Sequence, residues 1–202
     1  NSSPIELSAE VIPNVTILKN VVELMPEISE SQARIRNAWL STPDRPLSGI
    51  ANLADVKDIN SIITALYQSL NGPAGPRNWN RFRSLFYPGA QMASSHNLPT
   101  GQTMFMSMNF EEYIQMNSPF MEKSSFYEQE IGRKVDQYGG IAVARSAYQF
   151  RFSEGGKIEQ RGINNISLVQ DKGRWYISNI TWQDESPNNP IPGELLSTTT
   201  NK

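Results

Sequence analysis

Two glutamates and one histidine are the residues of this chain best suited to moving protons. Glu128 and Glu130 stand two apart in the extended stretch FYEQEI, residues 126–131. Strand side chains alternate, so both are expected on one face with Phe126 and Gly132, while Tyr127, Ile131 and Val135 take the other. If the glutamate face lines a pocket, loss of water and mutual repulsion raise at least one carboxyl pKa towards the range useful for general acid–base work. The competing reading has the pair solvated, or bridged to Arg145, Arg151 or Arg161 on neighbouring strands. His96 is the one histidine, so an imidazole base in this protein has to be this residue. Its surroundings, Ser95-His96-Asn97-Leu98-Pro99-Thr100-Gly101, read as a polar loop at a pocket mouth. Glu130, Glu128 and His96 are therefore the candidate catalytic residues.

A second group of residues has the chemistry of ligand orientation. Ser146, Tyr148, Phe150 and Phe152 share one face of a predicted strand, and Gly162, Asn164, Ile166 and Leu168 share one face of the next. Tyr148 and Asn164 can place a hydroxyl and an amide in an otherwise apolar pocket, or can simply satisfy each other. Arg83, one residue after Phe82 on a short predicted helix, would clamp a carboxylate if it points inward. Tyr67, Trp79 and Trp182 complete the candidate ligand-binding set, with plain core packing as the alternative for each.

Several chemistries are disfavoured. A net charge of −2 over 202 residues with no basic stripe argues against nucleic acid as a partner. No apolar run approaches the roughly 20 residues a spanning helix needs, so no membrane insertion is expected. With no cysteine and one histidine, thiolate and histidine-rich metal sites are excluded, and no metal is expected. Gly72-Pro73-Ala74-Gly75 lacks the Lys-Ser/Thr of a phosphate loop, and Ser107 and Ser125 lack the glycines of a nucleophile elbow. No cofactor is expected.

The elements that must position these residues centre on RGINNISLVQDKGRWYISNITWQDE, residues 161–185, which reads as a long β-hairpin turning at Asp171-Lys172-Gly173. On its second arm, simple alternation sets Trp175 and Ile177 against Tyr176, Ile180 and Trp182. Apolar residues on both faces imply that one covers helices and the other meets a partner or a flanking segment. Before it come Ser125–Tyr138 and Ile141–Ser153, making four strands of an antiparallel meander. Ala90–Ser95 and Thr103–Ser107 read as short strands. Helices are expected over Asp55–Leu70, where Ile59, Ile62, Ile63, Leu66, Tyr67 and Leu70 share a face; from Asn78; and from Asn109, which has capping-box spacing to Glu112. Residues 1–54 read as a proline-interrupted extension with short helices over Asn14–Met25 and Ser29–Leu40, residues 55–185 as the domain, and 186–202 as a flexible tail. The chain starts at Asn1 without Met, which is compatible with removal of a leader and export to the periplasm or beyond.

This order, with NWNRFRSLFYPGAQM (78–92), FYEQEI and the 161–185 hairpin, resembles the nuclear transport factor 2-like family, including the SnoaL-like group, in its uncharacterised bacterial branch. The resemblance implies an α+β fold in which a curved antiparallel sheet forms a cone closed by about three helices, with the N-terminal segment as an extension. It also implies a cavity for a small, largely apolar molecule, serving isomerase- or dehydratase-like acid–base chemistry. The alternative is a non-catalytic module that binds a ligand or forms a homodimer through the outer sheet face.

Overall fold

Helices begin where short polar side chains can take up the free N–H groups of a first turn. The computed structural model describes residues 51–98 and 100–196, so the helices expected over Asn14–Met25 and Ser29–Leu40 lie outside the described residues. Helix α1, Leu53–Val56, is capped by Asn52, and α2, Ile59–Leu70, by Asp58, whose carboxylate accepts from the Ser61 N–H at 2.7 Å. The expected single helix from Asp55 is thus two, because Asp58 is extended and caps rather than continues. The predicted apolar face of α2 is buried, from Ile59 to Leu70. Helix α3, Trp79–Ser84, is capped by Asn78, and α4, Phe110–Lys123, by a capping box between Asn109 and Glu112. Between α2 and α3 the Asn71–Pro76 turn is tied by Arg77, which donates to the carbonyls of Leu70, Gly72, Pro73 and Gly75.

Strands β1, Phe86–Asn97, and β2, Thr103–Asn109, are longer than alternation alone suggested. His96 consequently lies on a strand, opposite Met104, and not in a loop. Strands β3, Tyr127–Tyr138, β4, Ile141–Arg151, β5, Gln160–Asp171, and β6, Arg174–Asp184, form the expected antiparallel meander. The sheet has six strands in the order β2-β1-β6-β5-β4-β3, and β1 runs parallel to β6. That overturns the expected cone. The sheet is mixed, not wholly antiparallel, and its outer strands β2 and β3 stand at opposite ends without pairing, so it stays open and is not strongly curled. Among the described residues five short helices accompany it. The main core fills the space between α2, α3 and α4 and one sheet face, called here the inner face.

Two irregularities decide which side chains reach that face. In β3 the pairing shifts between Glu130, opposite Tyr148, and Gly132, opposite Ala147. Ile131 is the extra residue, and a bulge of this kind reverses the facing of all that follows. Glu128 and Glu130 keep the inner face, but Gly132 turns to the outer one and Val135, opposite Ala144, turns inward. Both reverse the expected alternation. A Cβ at Gly132 would lie 1.5 Å from the Leu195 carbonyl oxygen, so only glycine lets helix α5, Gly193–Leu196, sit there. Leu195 and Ile191 are buried on this outer face among Ile131, Ala147 and Ile163.

In β6 the shift falls at Ser178, between Ile177 opposite Leu168 and Asn179 opposite Ser167. Trp175, Ile177, Ile180 and Trp182 are thereby brought to one face, and Tyr176 alone of the five faces outward, against Tyr87. The expected split of these residues across the sheet is corrected accordingly. An uninterrupted strand would have moved half of the β6 aromatic and aliphatic set out of the core.

Candidate functional site

The inner face and helices α2 and α4 border a pocket of about 290 Å³. Its walls are apolar for the most part. Leu66 and Leu70 come from α2, Phe126 and Phe150 from the ends of β3 and β4, and Ile180 from β6. Met92 on β1, Met106 and Met108 on β2 and Met116 on α4 form a side of thioethers, a surface that adapts readily to the shape it meets. Into this lining project Glu128, Asp184, His96, Tyr67, Tyr148 and Asn164. Small-ligand sites have this composition, an apolar body with a few convergent polar groups.

The polar groups are organised in two sets. Tyr148 reaches from β4 across β5 to donate a hydrogen bond to Asp184 on β6 at 2.6 Å. It crosses at Gly162, where a Cβ would stand 2.4 Å from the Tyr148 hydroxyl and 2.5 Å from the Gln183 carbonyl oxygen. The second set runs from the pocket floor through the core. The Asn164 amide donates to the Tyr67 hydroxyl at 3.1 Å, Tyr67 and Ser146 share a 2.7 Å hydrogen bond, and Ser146 donates to Glu130 at 2.5 Å. Glu130 ends this chain in an ion pair with Arg133 at 3.0 Å. These two residues are three apart, a spacing that puts strand side chains on opposite faces unless a bulge intervenes.

Burial moves the acidities in the pocket. Desolvation pushes the Glu128 carboxyl up to about 7, with the charge of Asp184 adding to the rise and the Asn164 amide opposing it. Desolvation also raises Glu130, against the pull of the Ser146 hydroxyl and Arg133. Tyr67, Tyr113 and Tyr148 are held well above the usual phenol range, first by burial, and in Tyr148 also by the hydrogen bond to Asp184. A carboxyl that exchanges its proton near neutrality can act as general acid or base on a molecule beside it.

Of the sequence-derived candidates, the fold brings Glu128, His96, Tyr148, Asn164, Tyr67 and Trp182 to the pocket wall. Glu130 lies behind the wall, joined to it through Ser146 and Tyr67. Trp79 stands outside the lining, where its indole N–H donates to Ser118 at 3.3 Å. Arg83 points away and holds Glu111 through two hydrogen bonds, of 2.6 and 2.9 Å. The bridges weighed from Arg145, Arg151 or Arg161 to the glutamates do not form; Arg161 pairs with Glu185. Sequence reasoning missed Asp184, although Asp184 stands two residues beyond Trp182 on the same strand and so shares its face. It also missed Ser94, which is fully buried on the pocket wall with no hydrogen-bond partner for its hydroxyl. Among the described residues no group of three or more His, Asp or Glu side chains is placed to hold a metal ion, and no helix is long and apolar enough to cross a membrane.

No protein-family profile matches the chain, and no curated protein matches it. Solved structures do. A protein of unknown function with a cystatin-like fold from Nostoc punctiforme is similar at 11% identity and a TM-score of 0.50, over 64% of this chain and 90% of that one. A function-unknown protein from Mycobacterium tuberculosis is similar at 13% identity and a TM-score of 0.48, over 68% and 80%. A nuclear transport factor 2-like superfamily protein from Salmonella enterica serovar Typhimurium is similar at 17% identity and a TM-score of 0.44, over 61% and 86%. At these identities the likeness is one of fold: the chain shares its fold with the cystatin-like protein from Nostoc punctiforme.

Proposed function

We propose that this protein binds a small, largely apolar molecule in the pocket between its inner sheet face and α2 and α4, and that Glu128 exchanges a proton with it. The observation that carries this reading is the position of Glu128: a carboxyl pushed up to about 7 by desolvation, on the wall of a pocket lined for the most part by methionines, aromatic rings and aliphatic side chains. Asn164 supplies a second amide N–H that can hold an oxygen of the ligand while the proton moves, and Tyr148, whose one proton goes to Asp184, keeps that carboxylate in place. His96 is the second proton-carrying group on the wall. Glu130 supports from behind, because its chain through Ser146 orients the Tyr67 hydroxyl. Such a constellation suits isomerisation or dehydration, which need proton transfer and no redox partner.

The test is a thermal-shift screen of small lipophilic molecules, followed by turnover of the hits by wild type and by Glu128→Gln, Glu130→Gln and His96→Ala. Loss of turnover in Glu128→Gln beyond any change in binding is the expected result. Equal turnover in all four proteins removes the acid–base reading, and a screen without any hit removes the pocket reading.

A second reading, homodimerisation through the outer sheet face, draws on Ile141 and Val143, exposed at 59% and 46% on β4. Apolar side chains on an open sheet face favour a partner. Light scattering on wild type and Val143→Lys decides it, since a wild type that is monomeric at all concentrations leaves nothing to explain.

A further inference from the structure

The pocket is unbalanced in charge. Among the described residues two carboxylates, Glu128 and Asp184, stand on its wall, and no lysine or arginine does. The nearest guanidinium along β3, that of Arg133, is spent on Glu130 and on the Ile59 carbonyl. Tyr148 donates to one oxygen of Asp184, and no other described side chain or backbone N–H donates to that carboxylate. A third polar group on the same wall, the Ser94 hydroxyl, is completely buried and without a partner. A buried polar group left unpaired costs roughly 1–3 kcal/mol, so this orphan marks a place where something other than the protein completes the bonding. Carboxylate oxygens accept only, and a serine hydroxyl can accept as well. Beside the amides of Asn117 and Asn164, the wall therefore offers these acceptors among the rings of Trp182, Tyr113, Phe126 and Phe150, and aromatic faces attract cations.

We infer that the ligand of this pocket is a small organic cation, an amine whose ammonium group lies between Asp184 and Glu128 with its hydrocarbon body against the methionine and aromatic walls. The inference rests on the reading that this pocket is the ligand site, and it narrows the ligand to one class. An organic anion of the same shape meets two carboxylates and no compensating charge. A neutral molecule leaves Asp184 without a counter-ion. The groups facing Glu128 from the packed elements are Tyr67 on α2, Tyr113 on α4, Tyr148 on β4, Asp184 on β6 and His96 on β1, of which only His96 brings a positive charge when protonated. Because Glu128 gives up its proton near 7, an ammonium ligand binds with release of a proton, and its affinity rises through neutrality.

Benzylamine, benzyl alcohol and benzoate give the test, as one ring carrying a cation, a neutral group or an anion. Binding to the full chain is followed by Trp fluorescence and calorimetry at pH 6 and pH 8. Benzylamine should bind about tenfold or more tightly than benzyl alcohol at pH 8, an ion-pair gain of the size expected in a partly dry site, and benzoate should not bind. Its affinity should improve by about tenfold from pH 6 to pH 8, the span over which a carboxyl titrating near 7 goes from mostly protonated to mostly charged. Glu128→Gln should flatten that pH dependence. Asp184→Asn should weaken benzylamine and spare benzyl alcohol, and its unfolding midpoint shows whether the variant is folded. If benzyl alcohol or benzoate binds as tightly as benzylamine, the cation inference falls while the pocket reading stands. If none of the three binds, both fall.

Discussion

Glu128 and Glu130 share a strand and a face, yet the two ends of the inner face treat a carboxyl in opposite ways. At the Glu130 end, Ser146 and Arg133 supply a hydroxyl donor and a guanidinium, and the polar chain runs on through Tyr67 to Asn164. At the Glu128 end the carboxyl has an amide for support, a second carboxylate for company and no cation. Burial raises the pKa of both groups. Partners separate them. A satisfied acid in a packed network stabilises structure, whereas an unsatisfied one bordering an open volume is available for chemistry.

Removing the cation is the most severe way to break this contrast. Arg133→Met should make Glu130 resemble Glu128, with a loss of about 3 kcal/mol at pH 8, because a mostly buried carboxylate loses its counter-charge. The folded-state pKa of Glu130 would then rise further, so the deficit should shrink as the pH falls, and adding Glu130→Gln should recover most of it. Urea unfolding at pH 5 and pH 8 measures both effects. An equal loss at the two pH values would show that Arg133 acts by packing alone.

Neutralising the other acid should act in the opposite direction. Glu128 titrates at 4.5 unfolded and about 7 folded, so the folded state binds more protons between those values and wild-type stability declines as the pH rises through that window. Glu128→Gln should abolish the decline and stabilise the protein at pH 8, by up to roughly 3 kcal/mol if the whole shift is realised. Thermal unfolding from pH 4 to pH 8 tests this, and a variant less stable than wild type at pH 8 would contradict it. The smallest effect is expected from Tyr148→Phe, which deletes the donor to Asp184. A loss of about 1 kcal/mol, absent in an Asp184→Ala background, would sharpen the view that the Tyr148–Asp184 pair positions a pocket group more than it holds the fold.

Much of this arrangement was legible along the chain. The caps at Asp58, Asn78 and Asn109, the buried face of α2 and the four-strand meander all follow from local rules, since capping and amphipathic spacing involve residues within a turn or two of each other. The shared face of Glu128 and Glu130, and that of Gly162, Asn164, Ile166 and Leu168, needed nothing more than an unbroken period of two. Where the period breaks, the same rule misleads. Gly132, Val135, Trp175 and Ile177 were placed on faces they do not occupy relative to their neighbours, because the extra residues Ile131 and Ser178 carry no composition that marks a bulge. The cone failed for a related reason. Whether the outer strands of a sheet meet depends on strand order and cumulative bending, and the parallel pairing of β1 with β6 joins segments nearly ninety residues apart.

What the sequence determined by itself is the inventory and the local grammar: one histidine, no cysteine, acids on alternating strand positions, helices with stated beginnings. Tertiary structure alone decided that Arg133 reaches Glu130 and not Glu128, that Tyr148 passes over Gly162 to Asp184, and that Ser94 is sealed in without a partner. The physical reason is range. Backbone preferences and side-chain periodicity act between neighbours in the chain, whereas desolvation and ion pairing act between neighbours in space, and two bulges in the sheet are enough to change who those neighbours are.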